Sequence, residues 1–263
     1  MRARAVLAGL LLALAGLARA ADYVALPGGR FESVLPQGDR PGVSVPVTLA
    51  PFALRSTPVK VAEFLAFVRL HPDWQRGTAP AVFADARYLA NWEGPLQAPA
   101  GAAALDRPVV DVSWFAARAF CQSEDARLPT WLEWEFAAAA DETRGDARAD
   151  PAWRRRILSW YERPGSAPLP AVGGPPNAYG VRDLHGLVWE WVDDFNALFI
   201  AADSRTQGDP DLLKFCGAGA IGIIDRDSFA VLMRVALLSS LNAADTTSTL
   251  GFRCARSLAR TDP

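Results

Sequence analysis

Histidine and cysteine are scarce in this chain of 263 residues, which has two histidines and three cysteines. Zinc sites need several of these residues at short spacing, and no such spacing occurs here. The sequence also has no glycine-rich phosphate loop and no nucleophile elbow. These gaps argue against zinc chemistry, P-loop nucleotide binding and serine-hydrolase catalysis.

An excess of positive charge is missing too, because 27 basic side chains face 29 acidic ones. Surfaces that bind nucleic acid need clustered basic side chains to neutralise phosphates. The one dense basic run, Arg154 to Arg156, lies in a polar stretch and is typical of a solvated surface. We therefore expect no nucleic-acid partner.

Long apolar runs are confined to the N-terminus, where Arg2 and Arg4 precede an apolar stretch from Ala5 to Leu17. Ala18-Arg19-Ala20 follows with the small-x-small pattern of a cleavage site. The run is shorter than the ~20 residues that a membrane-spanning helix needs. The pattern predicts a signal peptide over residues 1–20, a mature chain over residues 21–263 without a membrane span, and a periplasmic or secreted location.

Helical and extended patterns alternate in the middle of the chain. A helix is predicted from Thr57-Pro58 to His71, a short strand over residues 109–112, and a second helix from Ser113. A capping box at Thr130 predicts a third helix that continues through Ala140. With 20 prolines and 20 glycines, the rest indicates turns and short strands, so the fold class is a single α+β domain with much irregular structure.

Four segments resemble a known family in their order and spacing. They are RPVVDVSW (107–114) with AFC (119–121), ARLPTWLEWE (126–135), NAYGVRDLHGLVWEW (177–191) and LGFRCA (250–255). Together they resemble the formylglycine-generating-enzyme-like, or sulfatase-modifying-factor, family, with residues 145–171 the least matched stretch. The resemblance implies one compact α+β domain over residues 21–263, related to C-type lectins. Residues 183–195 and 215–220 resemble the nitrite-reductase accessory branch, NirV.

The family's oxidation chemistry depends on two cysteines that this chain does not have. Enzymes of the family oxidise a substrate cysteine at a copper ion held by two thiolates, and soft sulfur ligands favour Cu(I). Counting back from the LGFRC motif places that pair at Asp225 and Ala230. Neither side chain supplies sulfur. The resemblance therefore implies a member with no catalytic residues, and copper is not an expected cofactor.

Three cysteines in an exported chain favour one disulfide and one remaining thiol. Cys121 and Cys254 match a disulfide of the family that ties the second helix to the C-terminal strand. Cys216 then remains, either as a buried small side chain or as a reactive thiol.

The resemblance also suggests a structural calcium site. Where the family carries an asparagine that helps to hold a structural calcium, this chain has Leu187. Asn177 and Asp183, with backbone carbonyls, remain the candidate calcium ligands. His185 follows Asp183 and precedes the WEW motif in the sequence. We expect it to hydrogen-bond within a turn.

Carboxylates in the third predicted helix are interpreted as structural. Glu133 and Glu135 fit helix capping and a buried ion pair, with Arg127 or Arg253 as the partner. No carboxylate pair in the sequence has independent support as a general acid and base.

Three functions remain open at this point. The first is an exported accessory or binding protein that uses the fold of the enzyme family to bind a periplasmic protein or peptide. A nitrite reductase is the candidate partner. The second is a copper-dependent oxidase that activates sulfatases through Cys216 or other ligands. The third is a carbohydrate-binding domain, suggested by the lectin-like fold and nine tryptophans.

Overall fold

The structure is a computed structural model that describes residues 22–35, 46–161, 168–198 and 229–258. The predicted signal peptide, residues 1–20, lies outside these ranges, as do Cys216 and Asp225. The strands are β1 (Tyr23–Leu26), β2 (Gly29–Phe31), β3 (Val47–Leu49), β4 (Phe52–Arg55), β5 (Trp189–Trp191), β6 (Leu250–Phe252) and β7 (Ala255–Ser257). The α-helices are α1 (Val61–Leu70), α2 (Trp114–Ser123), α3 (Trp131–Ala138), α4 (Pro151–Tyr161) and α5 (Phe229–Ser239).

The described strands form three small sheets. In the largest, β4 lies between β1 and β7, and all neighbours are antiparallel. The strands β2 and β3 form an antiparallel pair, and β5 and β6 form a parallel pair. Short strands, helices and long irregular connections confirm the predicted α+β class.

The capping residues Ser113 and Thr130 correctly predicted the starts of α2 and α3. The Ser113 hydroxyl accepts a hydrogen bond from the Ala116 amide at the start of α2. At the start of α3, Thr130 and Glu133 form the predicted capping box. The prediction that α3 continues through Ala140 is wrong, because the helix ends at Ala138.

The predicted start of α1 is also wrong, since the helix begins at Val61 and not at Pro58. Val59 is held in an extended connection, where its amide donates to the Phe252 carbonyl and its carbonyl accepts from the Val109 amide. These tertiary bonds outweigh the local signal at Thr57-Pro58. The predicted end near His71 is confirmed.

The strand predicted over residues 109–112 is absent from the described elements. Asp111 adopts a φ of 56°, a left-handed conformation that interrupts an extended strand. Its amide donates to the Thr247 carbonyl, and its carbonyl accepts from the Leu89 amide. The apolar run is therefore buried as an irregular connection.

One main hydrophobic core lies between the helices and the sheets, with Trp92, Trp131, Trp134 and Trp191 fully buried in it. A smaller cluster lies under α4 and contains Ala147, Trp153 and Ile157. Within the described ranges, no helix is both long and apolar enough to cross a membrane.

Candidate functional site

The WEW motif forms strand β5 and places a charge inside the core. Glu190 and Arg253 are both fully buried, and Arg253 Nη2 lies 2.8 Å from Glu190 Oε1. The same carboxylate accepts hydrogen bonds from Arg253 Nε at 2.8 Å and from the Trp134 indole at 2.9 Å. This network joins α3, β5 and the segment between β6 and β7.

The two carboxylates of α3 have structural partners, as predicted. Glu133 forms an ion pair with Arg127 at 2.6 Å, so the alternative pairing with Arg253 is wrong. Glu135 is buried and accepts hydrogen bonds from the Ser33 hydroxyl at 2.5 Å and from the Val34 amide at 2.7 Å. Burial raises the pKa of the Glu135 carboxyl.

Counting back from the LGFRC motif predicts the family's second copper cysteine at Ala230, which lies in the first turn of α5. One turn later, Arg234 is almost fully buried, and its guanidinium carbon lies 3.5 Å from the centroid of a Trp134 ring. An alanine side chain supplies no metal donor, and the paired position holds Asp225, outside the described residues. The residues at these predicted positions therefore do not fit a dithiolate copper centre.

Helix α4, in the stretch least matched to the family, packs beside this region and contacts α5. It places Trp153 and Trp160 against His185, with ring centroids 5.7 and 6.0 Å away. Gly186 permits the approach, because a Cβ atom there would lie 2.6 Å from ring atoms of Trp160. The helix thus covers the segment that follows the candidate calcium ligand Asp183.

His185 hydrogen-bonds across the fold, so the predicted bond within a turn is wrong. Its Nε2 atom lies 2.8 Å from the Ala138 carbonyl oxygen at the end of α3. Trp134 provides a third ring, with centroids 5.8 Å apart. The residue is half-buried as a whole, but its Nδ1 atom is shielded from solvent and has no hydrogen-bond partner among the described residues. Nothing in this arrangement groups His185 with other metal ligands.

Enclosure by aromatic rings lowers the pKa of His185 from 6.5 to about 4, and nearby Arg234 and Arg156 act in the same direction. The bond to Ala138 and the charge of Glu190 oppose the shift but do not cancel it. The folded state therefore favours the neutral ring. In the unfolded chain the imidazole ring becomes protonated when the pH falls below its ordinary pKa of 6.5.

This depressed pKa predicts a loss of stability in mild acid. The neutral His185 ring contributes at most about 3 kcal/mol to the free energy of unfolding. This contribution is fully present above pH 6.5 and is lost as the pH falls towards 4. Urea unfolding at several pH values between 7 and 4 measures it. In His185→Phe this part of the pH dependence should disappear, whereas His71→Gln should retain it. Equal acid sensitivity of His185→Phe and the unmodified chain would contradict the prediction.

The candidate calcium ligands Asn177 and Asp183 already use their oxygens in local hydrogen bonds. Asn177 Oδ1 accepts from the amides of Tyr179 and Val181, both at 3.0 Å. The two carboxylate oxygens of Asp183 accept from the amides of Gly173 and Gly174. No group of three or more His, Cys, Asp or Glu side chains with metal-binding geometry occurs in the described ranges. A calcium site that also uses backbone carbonyls stays a prediction.

The predicted disulfide between Cys121 and Cys254 is present, and it joins α2 to the connection between β6 and β7. Both cysteines are fully buried. Because Cys254 directly follows Arg253 in sequence, the bridge connects α2 to the segment that carries the buried Glu190–Arg253 pair. Its role is structural.

Sequence reasoning missed a cavity of about 520 Å³ beside β2. It is lined by Gly28, Gly29, Arg30, Phe31, Glu32, Pro46, Phe136, Gly145, Asp146, Arg148 and Tyr179. The only sequence signal is the pair of glycines before Phe31, which indicates an unusual backbone but not what faces it. The other wall comes from residues more than a hundred positions later.

Comparison with known proteins gives the chain's relatives. The model of the "Sulfatase-modifying factor enzyme 1-like domain" matches residues 13–258. The formylglycine-generating enzyme of Streptomyces coelicolor is 31% identical over 284 residues, which cover 88% of this chain and 88% of that enzyme. The inactive C-alpha-formylglycine-generating enzyme 2 of Bos taurus is 30% identical over 290 residues, covering 93% of this chain and 91% of its relative.

Among solved structures, CarF superimposes with a TM-score of 0.49 at 18% identity, over 91% of this chain and 99% of CarF. The sequence matches extend over nearly the whole length of this chain and include the WEW and LGFRC segments, which meet in the Glu190–Arg253 network. The chain therefore belongs to the sulfatase-modifying factor enzyme 1-like, or formylglycine-generating-enzyme-like, family.

Proposed function

We propose that this chain is an exported, non-catalytic member of its family that acts as an accessory or binding protein for a periplasmic protein partner. The observation that carries the proposal is the replacement of the copper-binding cysteine pair by Asp225 and Ala230. Identity to relatives does not decide between the functions, since an active enzyme is 31% identical and an inactive one 30% identical. The residues counted to the metal positions support the non-catalytic function, because an oxidase of this type needs two thiolates.

An oxidation assay tests the non-catalytic part of the proposal. The purified mature chain and the Streptomyces coelicolor enzyme are each supplied with copper, oxygen and a cysteine-containing peptide. We expect the enzyme to oxidise the peptide and this chain to leave its mass unchanged. Oxidation of the peptide by this chain would establish the sulfatase-activating alternative.

For the partner, we propose a copper nitrite reductase, supported by the resemblance of residues 183–195 and 215–220 to the nitrite-reductase accessory branch. The test is binding of purified copper nitrite reductase from the same organism to the immobilised chain. The Streptomyces coelicolor enzyme, immobilised in the same way, is the matched control. Equal retention on both surfaces, or on neither, would reject this partner.

Export is proposed from Arg2, Arg4, the apolar run and Ala18-Arg19-Ala20. Expression of the full chain followed by cell fractionation and N-terminal sequencing tests it. The protein should appear in the periplasmic or secreted fraction with Ala21 as its first residue. A protein that retains Met1 in the cytoplasm would contradict export.

A further inference from the structure

Asp111 carries a buried carboxylate without a hydrogen-bond donor among the described residues. The residue is 5% exposed, and its main chain is fully used, because the amide donates to the Thr247 carbonyl and the carbonyl accepts from the Leu89 amide. Within the described ranges, by contrast, no hydrogen bond or ion pair reaches the Asp111 carboxylate. Taking a carboxylate out of water without a donor is costly. Asp111 therefore requires an explanation other than stability.

Two neighbouring charges act on this carboxylate. Burial raises the pKa of the Asp111 carboxyl, the charge of Arg87 acts in the opposite direction, and that of Asp85 adds to the rise. The pKa remains raised, so Arg87 does not neutralise the buried group. Arg87 is used elsewhere, because its Nη2 atom donates to the Thr246 carbonyl at 2.5 Å and its side chain is 66% exposed.

The second acid of this region, Asp85, is satisfied within the fold. Its Oδ1 atom accepts from the Thr246 hydroxyl at 2.6 Å and from the Arg87 amide at 2.9 Å. Its Oδ2 atom accepts from the Thr246 amide at 3.1 Å. Of the two acids, Asp111 is therefore the one whose carboxylate is available to accept hydrogen bonds from a ligand.

The loop of residues 243–247 fixes both acids through their main chains. The Ala244 carbonyl accepts from the Asp85 amide at 2.9 Å, and the Thr247 carbonyl accepts from the Asp111 amide at 3.0 Å. These bonds hold the Asp111 backbone in place without help from its side chain. The carboxylate is thus positioned before any ligand binds, which lowers the cost of binding.

An aromatic surface adjoins this loop. The Ala243 carbonyl accepts from the Trp114 amide at the start of α2, and the next residue, Phe115, has its ring 5.1 Å from that of Phe83. Phe83 is 40% exposed and Val82 is 70% exposed. Exposed aromatic and apolar side chains that lie together are typical of surfaces that bind another protein.

One available carboxylate favours a singly charged hydrogen-bond donor over a metal ion. Calcium takes roughly six to eight oxygen ligands, and the described ranges contain no group of three or more His, Cys, Asp or Glu side chains that could hold a metal. The nearby charge of Arg87 also disfavours a divalent ion.

The access to Asp111 selects among singly charged groups. Neither of its carboxylate oxygens is among the solvent-shielded side-chain atoms that lack a partner, so both are reached by solvent. Because only 5% of the residue is exposed, the opening is narrow. A narrow opening suits the compact ammonium group of lysine on its thin stem better than the planar guanidinium of arginine.

We infer that the Asp111 carboxylate binds the ammonium group of a lysine side chain of the protein partner. The exposed side chains of Val82 and Phe83 pack against the same partner. The carboxylate is retained for this contact and not for the stability of the fold. The inference rests on the proposed function as a binding protein, and it identifies the surface used and the charge that this surface recognises.

Asp111→Asn tests whether the carboxylate serves stability. Asparagine tolerates the left-handed backbone at φ 56°, and the substitution removes a buried charge that has no donor. The variant should therefore unfold at the same urea concentration as the unmodified chain or at a higher one. The matched control is Asp125→Asn, at an exposed position with φ 53°, which should leave the midpoint unchanged. A lower midpoint for Asp111→Asn alone would show that the carboxylate is neutralised within the protein, and would overturn the inference.

Titration of the ¹⁵N-labelled chain with N-acetyl-lysinamide, followed by nuclear magnetic resonance, tests the ligand. The amide signals of Asp111 and Leu89 should shift, with a Kd of about 1–10 mM for so small a probe. N-acetyl-norleucinamide, which has a similar stem without the charge, should leave these signals in place. Asp111→Asn should weaken the binding of N-acetyl-lysinamide at least about tenfold, whereas Asp125→Asn should retain it.

Three results of this titration would overturn the inference. They are the absence of a shift with N-acetyl-lysinamide, equal shifts with the two probes, and equal binding by Asp111→Asn and the unmodified chain. Shifts with calcium chloride but not with N-acetyl-lysinamide would assign a metal site instead. The titration involves neither peptide oxidation nor nitrite reductase, so its failure is distinguishable from failure of the proposed function. If nitrite reductase binds Asp111→Asn as tightly as Asp125→Asn, the surface is wrong while the partner stands.

Discussion

Replacing Glu190 with glutamine should lower the free energy of unfolding by about 3–5 kcal/mol. The substitution keeps the size of the side chain but removes the charge that faces Arg253, and both residues are fully buried. Arg253 also donates to the Arg182 carbonyl at 2.9 Å, a contact that does not neutralise its charge. The guanidinium would remain buried without a counter-charge, which is the costly outcome. Urea unfolding at pH 7 measures the change.

An exposed ion pair provides the matched control for Glu190→Gln. Arg156 and Glu142 lie 3.1 Å apart, with side chains about half exposed, and such pairs contribute at most about 1 kcal/mol. Glu142→Gln should therefore change stability by a small fraction of the effect of Glu190→Gln. Similar effects of the two substitutions would show that burial does not set the strength of the Glu190–Arg253 pair.

The starts of α2 and α3 were predictable because their signals are local. Ser113 and Thr130 each accept a hydrogen bond from the backbone amide three positions later, so a short stretch of sequence contains the whole interaction. The start of α1 was not, since the bonds that hold Val59 extended come from Phe252 and Val109. The strand prediction for residues 109–112 was wrong for the same reason, because the conformation of Asp111 depends on partners that are distant in sequence.

The candidate site shows the same difference between features that depend on nearby residues and features that depend on residues distant in sequence. The absence of the copper pair, with Asp225 and Ala230 at the counted positions, stays a prediction that rests on the count back from the LGFRC motif. The partner of Glu190 could not be read from the sequence, since Arg253 is 63 residues away. The cavity beside β2 was equally hidden, because Arg148 reaches the Glu32 carbonyl across 116 positions.

Removing the Cys121–Cys254 disulfide should destabilise the chain by about 4–5 kcal/mol at most. The two cysteines are 133 positions apart, and a cross-link that closes so long a loop strongly restricts the unfolded chain. The variant is Cys121→Ala/Cys254→Ala, since both positions are fully buried and alanine introduces no polar group. Its urea midpoint is compared with that of the oxidised chain.

Reduction of the unmodified chain separates the cross-link from the loss of two buried sulfur atoms. The reduced chain keeps both side chains, so its stability should fall by most of the amount seen in the double variant, while the variant itself should not respond to reductant. A reduced chain as stable as the oxidised one would assign the effect to packing rather than to loop closure. Because Cys254 follows Arg253 directly, a large loss on reduction would also predict weaker coupling of the Glu190 pair. Glu190→Gln should then cost less in the reduced chain than in the oxidised one.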